Sequence, residues 1–387
     1  MKLRFLLKVL LLSFGIVLSA LGANLAGAQA PFQNPLKVEE IEDPLLPSPP
    51  IQRSLSPLEQ LRLQQQLEEL NRRARATYED GNVDEAFNIW YRELRLRQEL
   101  EVSKEVEALA RVGEVAWREN RSEDLRNIRQ RLSNIETTAQ ENNHRELLQQ
   151  VAESYERMRV NDRAIAVYNF LLEDSENPRP LLENIASLYE SRFQYDQAAE
   201  TYEKLLAMAE AQNNARAEIN YLRRLRSLYE QANNPEKGIT TKERLASIYQ
   251  QQNNEQPLPS LFFSLGEDYQ EMGRFNAASN AYEQAYRRAW SQQKYAIASN
   301  ALENLAQLYR RDESLETTLN IYEQLLIVQE RATDYYGLMM TYNKIGEIHQ
   351  QRDRDQQALS AFENALELAR SLSYQEAYFQ EKINNLI

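Results

Sequence analysis

Very small and large apolar side chains alternate at helical spacing along most of the chain. Within LFFSLGEDYQEMGRFNAASNAYEQA, residues 261–285, Gly266 and Ala278 stand in phase with Tyr269 and Tyr282. Apolar residues three and four positions apart form one face of an α-helix. A small residue on that face lets a second helix approach closely, and a ring on the second helix can fill the space. The pattern therefore predicts pairs of closely packed helices.

A period of 40 residues runs through the second half of the chain. Tyr189, Tyr229, Tyr269 and Tyr309 follow one another at this spacing, and His349 takes the next place. Alanine recurs nine residues after this position at Ala198, Ala278 and Ala358. Self-similarity at such a period indicates a repeat protein in which each repeat is a small supersecondary unit.

The helical pattern begins at SPLE, residues 56–59, and continues nearly to the C-terminus. Ser56 suits an N-cap, Pro57 suits the first helical position, and Glu59 completes a capping box. Residues 374–387 predict a last helix that covers the open face of the final repeat.

This arrangement resembles the tetratricopeptide repeat (TPR), whose motif has large apolar residues at positions 4, 7, 11 and 24 and small residues at positions 8, 20 and 27. The corresponding residues are Phe262, Leu265, Tyr269 and Tyr282, and then Gly266, Ala278 and Ala285. The resemblance implies an all-α, right-handed TPR superhelix, an α-solenoid of about eight helix-turn-helix repeats with a C-terminal capping helix. The expected repeats begin near residues 67, 106, 145, 179, 219, 259, 299 and 339.

Two repeats depart from the motif, and most of the later repeats are longer than the ordinary TPR of roughly 34 residues. The second repeat has Leu125 and Arg129 at the small and aromatic positions of its second helix. The fifth has Arg226, Gly238 and Lys242 at core positions. These two repeats are expected to pack more loosely. The longer spacing extends the helices by about one and a half turns per repeat.

Composition excludes several classes of protein. The chain has 387 residues, 42% of them apolar, only 10 glycines, and a net charge of −13. Its length and apolar content suffice for a buried core. The absence of cysteine excludes disulfides, thiolate zinc sites and cysteine nucleophiles. The negative charge without a basic cluster argues against nucleic-acid binding.

The N-terminus predicts export. Residues 1–28 combine the cations Lys2, Arg4 and Lys8, a short apolar run and a final A-x-A pattern, so we expect a signal peptide cleaved after Ala28. The body would then lie outside the cytoplasm, in the periplasm or an equivalent lumen. The alternative is an uncleaved anchor, with membrane contact through this segment only, although its apolar run is shorter than the ~20 residues of a spanning helix.

A proline-rich segment separates this leader from the helices. Residues 29–55 contain six of the 12 prolines, with Pro44, Pro47 and Pro50 three residues apart as in a polyproline II helix. We interpret the segment as a disordered linker. The alternative is a ligand for a groove-type domain. The predicted solenoid fills residues 56–387.

No catalytic motif is found in the sequence, which has no glycine-rich phosphate loop, HExxH or GxSxG. Its two histidines are His144 and His349. His349 occupies a tyrosine position of the repeat, so we interpret it as a packing residue rather than a base or ligand. We predict no enzyme activity, cofactor or metal. An enzyme with a dispersed pair of acids is the remaining alternative of that class.

In the TPR family a concave groove is lined by the first helix of each repeat. The matching positions here hold fourteen glutamates and six arginines, which favours a neutral or basic segment of another protein as partner. Trp117 and Trp290 lie off the core positions and are candidate contact residues. The candidate groove residues are Arg75, Glu114, Trp117, Glu153, Arg223, Glu267, Glu271, Glu303, Arg310 and Glu347.

Two functional hypotheses follow. The first is a scaffold or assembly factor that holds a peptide or helical segment of an envelope protein in this groove. The second is a structural homo-oligomer that uses the solenoid or its own N-terminal extension for self-association.

Overall fold

The computed structural model describes residues 34–36, 43–47, 54–311 and 313–387, and in these residues all regular secondary structure is helical. The predicted leader, residues 1–28, lies outside the described residues. The described helices are α1 (Pro57–Glu79), α2 (Val83–Arg97), α3 (Val102–Arg118), α4 (Ser122–Glu141), α5 (Arg145–Arg157), α6 (Asn161–Leu172), α7 (Pro178–Ser191), α8 (Tyr195–Ala211), α9 (Ala215–Gln231), α10 (Pro235–Gln251), α11 (Leu258–Glu271), α12 (Phe275–Ser291), α13 (Tyr295–Arg311), α14 (Leu315–Arg331), α15 (Tyr335–Gln351), α16 (Asp355–Leu372) and α17 (Glu376–Asn384).

The chain divides into two compact units, Met1–Val167 and Tyr168–Ile387, with the boundary inside α6. In the first unit α1 packs against α2, α2 against α3, and α3 against both α4 and α5. In the second unit every helix from α7 to α17 packs against the next one along the chain. Consecutive helices thus form hairpins, and the predicted all-α fold of TPR-type hairpins is confirmed in the described residues.

The first helix begins as the sequence predicts. The Ser56 backbone N–H donates to a Glu59 carboxylate oxygen at 2.7 Å, and the Glu59 N–H donates to the Ser56 hydroxyl at 3.4 Å. At the other end of the chain, α17 contacts α16 and buries Phe379 and Ile383 in one cluster with Phe362. The final helix therefore covers apolar surface of the last hairpin.

Left-handed turn residues recur at a constant interval in the second unit. Phe193, with a φ of 58°, stands one interval before a series whose backbone φ angles lie between 50° and 70°: Asn213, Asn233, Asn253, Gly273, Gln293, Glu313, Thr333, Asp353 and Ser373. At the first of them the Asn213 N–H donates to the Glu210 carbonyl and the Asn214 N–H to the Ala209 carbonyl, both at 2.9 Å. This is the Schellman arrangement that satisfies the last carbonyls of a helix.

The regular recurrence of these turns explains the length of the repeat. Helices α8, α9 and α10, and again α12 to α15, have 17 residues each. Short turns of equal length separate most of them. The extra length over an ordinary TPR is therefore shared between the two helices of a hairpin. Both turns of the repeat use the same backbone geometry.

Thr333→Gly is expected to stabilise the second unit. Thr333 holds φ at 54°, where a β-branched side chain is strained and glycine is not. We expect the free energy of unfolding to rise by roughly 0.5–1 kcal/mol, measured by urea unfolding. The neighbouring Ala332 has a right-handed conformation, so Ala332→Gly should instead lower stability. Equal effects of the two glycines would contradict this account of the turn.

The small-to-large pairing predicted for the hairpins is present in the core. A Cβ atom added at Gly266 would lie 2.5 Å from the ring of Tyr282, and one added at Gly346 would lie 2.6 Å from the ring of Phe362. Ala278, on the second helix of the first of these hairpins, is completely buried. Each glycine thus provides the space that the ring of the paired helix occupies.

The second helix of the second repeat uses a different face from the predicted one. Leu125 is only half-buried and Arg129 is exposed, whereas Ile128 and Leu132 are completely buried. The space beside Gly113 is filled by Ile128 together with Met158, which comes from the turn after α5. The expected loose packing is therefore wrong here, because a methionine from the next helix pair supplies the missing bulk.

The fifth repeat also differs from the prediction, because its core lysine is buried and paired. Lys242 has a side-chain exposure of 2%, and its Nζ lies 2.7 Å from both the Ser264 hydroxyl and an Asp268 carboxylate oxygen. A Glu230 oxygen lies 3.1 Å from the same ammonium group. The lysine thus fills a core position with its stem while its charge is compensated by neighbouring helices.

Parts of the proline-rich segment contact the first unit, whereas the sequence predicts a disordered linker. Leu36 is buried, and its carbonyl accepts a hydrogen bond of 2.9 Å from the Gln98 side chain. The Asn34 side chain donates to the Asn127 carbonyl at 2.9 Å. Asp43 binds Arg92 through two hydrogen bonds of 2.7 and 2.8 Å, and the Arg92 guanidinium lowers the pKa of Asp43. Asn34, Leu36 and Asp43 are therefore held by the Asn127 carbonyl of α4, the Gln98 side chain that follows α2, and the Arg92 side chain of α2.

Candidate protein-binding surfaces

Three adjoining cavities follow the first helices of the first unit. One of about 290 Å³ lies between α1 and α3, one of about 360 Å³ lies further along the same pair, and one of about 210 Å³ lies between α3 and α5. Arg111 lines the first two, and Arg157 lines the last two. We call this line of cavities the first-unit groove.

The structure places three of the four candidate residues of this unit in the lining of the groove. Arg75 and Glu114 line the same cavity, and Glu153 lines another. Glu114 on α3 also pairs with Arg157 on α5 at 2.7 Å. Trp117 lines none of the three cavities, but it is 45% exposed at the end of α3, with the Arg159 guanidinium 5.6 Å from its ring. An exposed indole beside charged cavities is a typical anchor for a partner.

A buried ionic network under the groove was not foreseen from the sequence. The Glu93 carboxylate on α2 is fully buried and accepts hydrogen bonds from Arg97 at 2.8 Å and from Arg111 at 2.7 and 2.9 Å. Asn71 on α1 accepts from Arg111 and, at 3.2 Å, from the Trp90 indole. The network joins three helices and fixes the two arginines that face the cavities.

These arginines change the charge expected for the first-unit groove. The prediction counted acids and bases only at motif positions, whereas Arg97, Arg111 and Lys104 line the cavities from other positions. The charged lining residues are Arg75, Arg97, Lys104, Arg111, Arg118 and Arg157 with Glu68, Glu79, Glu107, Glu114 and Glu153. Cations and anions are thus nearly balanced along this groove, which suits a partner with both charges.

Two of the acidic candidates of the second unit lie on α11, the helix that carries the Asp268 partner of the buried Lys242. Glu267 and Glu271 are exposed on α11, one turn apart, and Asp268 lies between them. Burial raises the pKa of Glu267, and the adjacent carboxylates of Asp268 and Glu271 raise it further against the opposing effect of Lys242. Burial likewise raises the pKa of Asp268 despite its bond to Lys242. This side of α11 is therefore acidic, as the sequence predicts for these positions.

The remaining candidates fall into one group and one separate residue. Arg310 on α13 lies 3.7 Å from Glu347 on α15, which joins the first helices of two successive hairpins. Both charges and that of Glu303 act on the phenol of Tyr322, whose pKa is raised mainly by burial. Arg223 is apart from them and donates to the Tyr249 hydroxyl at 2.8 Å in its own hairpin.

Two of the periodic tyrosines of the second unit bond to a glutamate of the hairpin before them, whereas the Tyr309 hydroxyl lies 3.2 Å from the Ser279 hydroxyl. The Tyr229 hydroxyl donates to Glu203 at 2.5 Å, and the Tyr269 hydroxyl donates to Glu243. In both cases the glutamate stands 26 residues earlier, on the second helix of the preceding repeat. His349 takes the next-but-one place in this series, and Glu323 stands at the same distance before it.

His349 behaves as a packing residue with an unsatisfied edge. It is half-buried, and its Nδ1 has no hydrogen-bond partner within the described part of the chain. Burial lowers the pKa of His349, and Arg354 and Arg352 lower it further, against Glu316 and Glu323. A neutral imidazole with one unpaired nitrogen costs stability that a tyrosine would avoid.

His349→Tyr is expected to stabilise the second unit by about 1 kcal/mol, because its hydroxyl would have Glu323 where Tyr229 has Glu203 and Tyr269 has Glu243. Since the folded-state pKa of His349 is below 6.5, the parent chain should lose stability as the pH falls below that value. The tyrosine variant should lose less between pH 7 and 5 in thermal unfolding. His349→Phe is the control. If it raised the stability as much as His349→Tyr, a hydrogen bond from the tyrosine hydroxyl to Glu323 would be excluded as the cause.

The described residues contain no group of three or more His, Cys, Asp or Glu side chains arranged to hold a metal ion. None of the described helices is both long and apolar enough to span a membrane.

The tetratricopeptide repeat family matches residues 181–216, on α7 to α9, and residues 297–371, on α13 to α16. No curated protein matches the chain.

Three similar solved structures illustrate the structural comparison. BtubC (BKLC) from P. vanneervenii is 15% identical with a TM-score of 0.36 and covers 56% of this chain and 90% of its own. A Rap protein complexed with competence and sporulation factor is 12% identical with a TM-score of 0.31 and covers 83% and 98%. YrrB, a TPR protein with an unusual peptide-binding site, is 17% identical with a TM-score of 0.31 and covers 50% and 92%. The two family matches fall on helical hairpins with the predicted small and aromatic residues, so the chain contains tetratricopeptide repeats in residues 181–216 and 297–371.

Proposed function

We propose that this protein is a non-enzymatic scaffold that binds a segment of another protein along the first helices of its repeats. The TPR fold fits a protein-binding scaffold. The first-unit groove is the observation that carries the proposal, because its cavities and charged side chains lie along the consecutive first helices α1, α3 and α5, and α3 also carries the exposed Trp117. Aromatic and arginine side chains are the usual centres of binding energy at protein interfaces.

The groove suits an extended or short helical peptide better than a small molecule. Its cavities are small, adjoin one another and share lining residues, so one long ligand can follow all of them. The exposed Glu114–Arg157 pair can exchange its mutual bond for bonds to a ligand, since each side chain is 45% exposed. The acidic surface of α11 in the second unit favours a neutral or basic segment there.

Site-specific photocrosslinking in intact cells tests this proposal. A photoreactive residue at Trp117 or Glu267 should yield defined crosslinked partners, which mass spectrometry identifies. Matched probes at Arg129 and Asn280, exposed on second helices, should not yield them. Equal products from all four positions, or none from any, would contradict binding along the first helices.

Self-association through the N-terminal extension is the second candidate, but the structure gives it less support. The described residues 34–36 and 43–47 contact helices of their own unit through Asn34, Leu36 and Asp43. A segment held in this way is less available to a second copy. Deletion of residues 31–55 should abolish self-association if this candidate is right and leave partner crosslinking unchanged if it is wrong.

We also propose that the protein acts outside the cytoplasm, in the periplasm or an equivalent lumen, as an assembly or scaffolding factor of the envelope. The support is the cationic, apolar and A-x-A sequence of residues 1–28. Fusion of residues 1–40 to an alkaline phosphatase that is active only after export should give activity. Lys2→Glu together with Arg4→Glu should reduce it, and an inactive parent fusion would overturn the proposal.

A further inference from the structure

A second groove lies on the last two hairpins, and none of the candidate groove residues discussed above lines it. It has a volume of about 890 Å³ and is lined by parts of α14, α15 and α16. Three of its apolar side chains are unusually exposed, with exposed fractions of 53% for Ile327, 54% for Tyr335 and 38% for Leu372. We call it the C-terminal groove.

Residues 40 positions earlier in the repeat show how the surface equivalent to this groove is covered in the preceding hairpin. Tyr335 is equivalent to Tyr295, and Glu330 is equivalent to Trp290. In the earlier position the Trp290 ring lies against the Tyr295 ring, with centroids 5.7 Å apart at 64°. In the C-terminal groove the tyrosine is present and the tryptophan is replaced by a carboxylate. Tyr335 therefore lacks the ring that covers its counterpart.

In an earlier pair of hairpins, an ion pair spans the surface that is equivalent to the C-terminal groove. Glu210 on α8 bonds to Arg244 on α10 at 2.5 Å. The equivalent residues are Glu330 on α14 and Asn364 on α16, which both line the C-terminal groove. The C-terminal groove therefore keeps the carboxylate of the ion pair, at Glu330, but has a neutral Asn364 in place of the arginine.

The charge of the lining agrees with this comparison. The charged residues that line the C-terminal groove are Glu323, Glu330 and Glu367, and its lining contains no lysine or arginine. Three carboxylates around exposed apolar side chains favour a ligand that brings both a cation and apolar surface.

From this geometry we infer that the C-terminal groove binds a basic amphipathic helix of a partner protein, with an aromatic ring against Tyr335 and a lysine or arginine beside Glu330. The partner would supply the two elements that the chain itself supplies in earlier hairpins, the ring of Trp290 and the cation of Arg244. An amphipathic helix presents such residues on one face at spacings of three and four. This inference does not depend on the first-unit groove.

The test uses the full chain and a designed probe. The probe is a labelled 14-residue helical peptide of Leu, Lys and one central Trp, measured by fluorescence anisotropy at 50 and 300 mM salt. We expect saturable binding that weakens with salt. Two matched peptides, one with Trp replaced by Ala and one with every Lys replaced by Glu, should each bind at least roughly tenfold more weakly.

Variants of the chain locate the binding. Glu330→Trp introduces the residue found at the equivalent position, Trp290, and should fill the groove. The affinity for the probe should fall at least roughly tenfold, and the stability of the chain should not decrease. Glu363→Trp, on an exposed position of α16 outside the groove, should leave binding unchanged. Ile327→Arg, which places a cation among the carboxylates, should weaken binding comparably.

Three results would overturn the inference. The first is unchanged affinity of Glu330→Trp, which places the probe elsewhere. The second is equal binding of the acidic peptide, which excludes charge recognition. The third is concentration-dependent dimerisation of the parent chain that Glu330→Trp abolishes, because the groove would then hold a second copy instead of a basic helix.

Discussion

Ala278→Arg is expected to destabilise the hairpin of α11 and α12 by at least about 3 kcal/mol, because it both overpacks the core and buries an uncompensated charge. Ala278 is completely buried, and the space beside it is already filled by the contact of Gly266 with the Tyr282 ring. A guanidinium group at this place has no solvent to reach without separating the helices. The consequence should be local opening of this hairpin.

Hydrogen exchange of the full chain is the appropriate measurement, because repeat arrays can unfold in parts and a single midpoint would average them. Amides of α11 and α12 should lose protection, while those of α1 to α4 should not. Asn280→Arg places the same side chain on an exposed position of the same helix and should change stability by less than about 0.5 kcal/mol. Equal protection in both variants would mean that the assignment of buried and exposed faces on α12 is wrong.

Glu93→Ala should have a similar effect in the first unit, with a loss of about 3 kcal/mol. The carboxylate is fully buried and bonds to both Arg97 and Arg111, whose side chains are 10% and 25% exposed. Removing it leaves two cations close together with no compensating charge. The loss should therefore exceed the contribution of the ion pair itself, since the remaining charges stay desolvated without a partner.

Two further variants separate charge from packing at this site. Glu93→Gln keeps hydrogen-bond acceptors and should be intermediate between alanine and the parent. Glu85→Ala removes an exposed carboxylate from the same helix and should be nearly neutral. Chemical denaturation followed by tryptophan fluorescence suits this unit, because Trp90 lies in the same network. A Glu93→Ala variant as stable as Glu85→Ala would show that the network contributes nothing to folding.

The fold could be predicted because its determinants are local and repeated. The spacing of Tyr229 and Tyr269 with Ala278 and Gly266 specifies which face of each helix is buried, and a fixed period applies the same information to many hairpins. The helices themselves need only apolar periodicity and turn residues. Where the side chains repeat, sequence and structure agree.

The differences arise where a side chain from another helix decides the outcome. The register assigns Arg129 to the core, but Met158 fills that place from the following helix pair. Lys242 resembles a defect in the motif, but Asp268 on the next helix compensates its charge. Glu93 gives no signal in the sequence, because a buried carboxylate is recognisable only when its arginines are located. Such contacts depend on tertiary neighbours that no single-sequence pattern contains.

The charged lining of a groove can be predicted less completely from the sequence than the helices that carry it. Arg75 and Glu114 line one cavity as the register implies, but Arg97 and Lys104 reach the same groove from positions outside the motif. Long flexible side chains extend several ångströms from their own helix face. The electrostatic field in a groove therefore cannot be predicted by counting the charged residues at motif positions alone.

The equal helix-and-turn units of the second half have a consequence for how such a chain can change during evolution. The same left-handed turn follows the helices of this half at a constant interval. If two consecutive helices are duplicated or deleted with their turns, every following helix therefore remains the first or the second helix of a hairpin, as it was before. A change of a single unit would exchange inner and outer helices throughout the remainder of the chain. Gene segments that encode a whole hairpin are therefore the natural step by which this array can be lengthened or shortened while every remaining contact is kept.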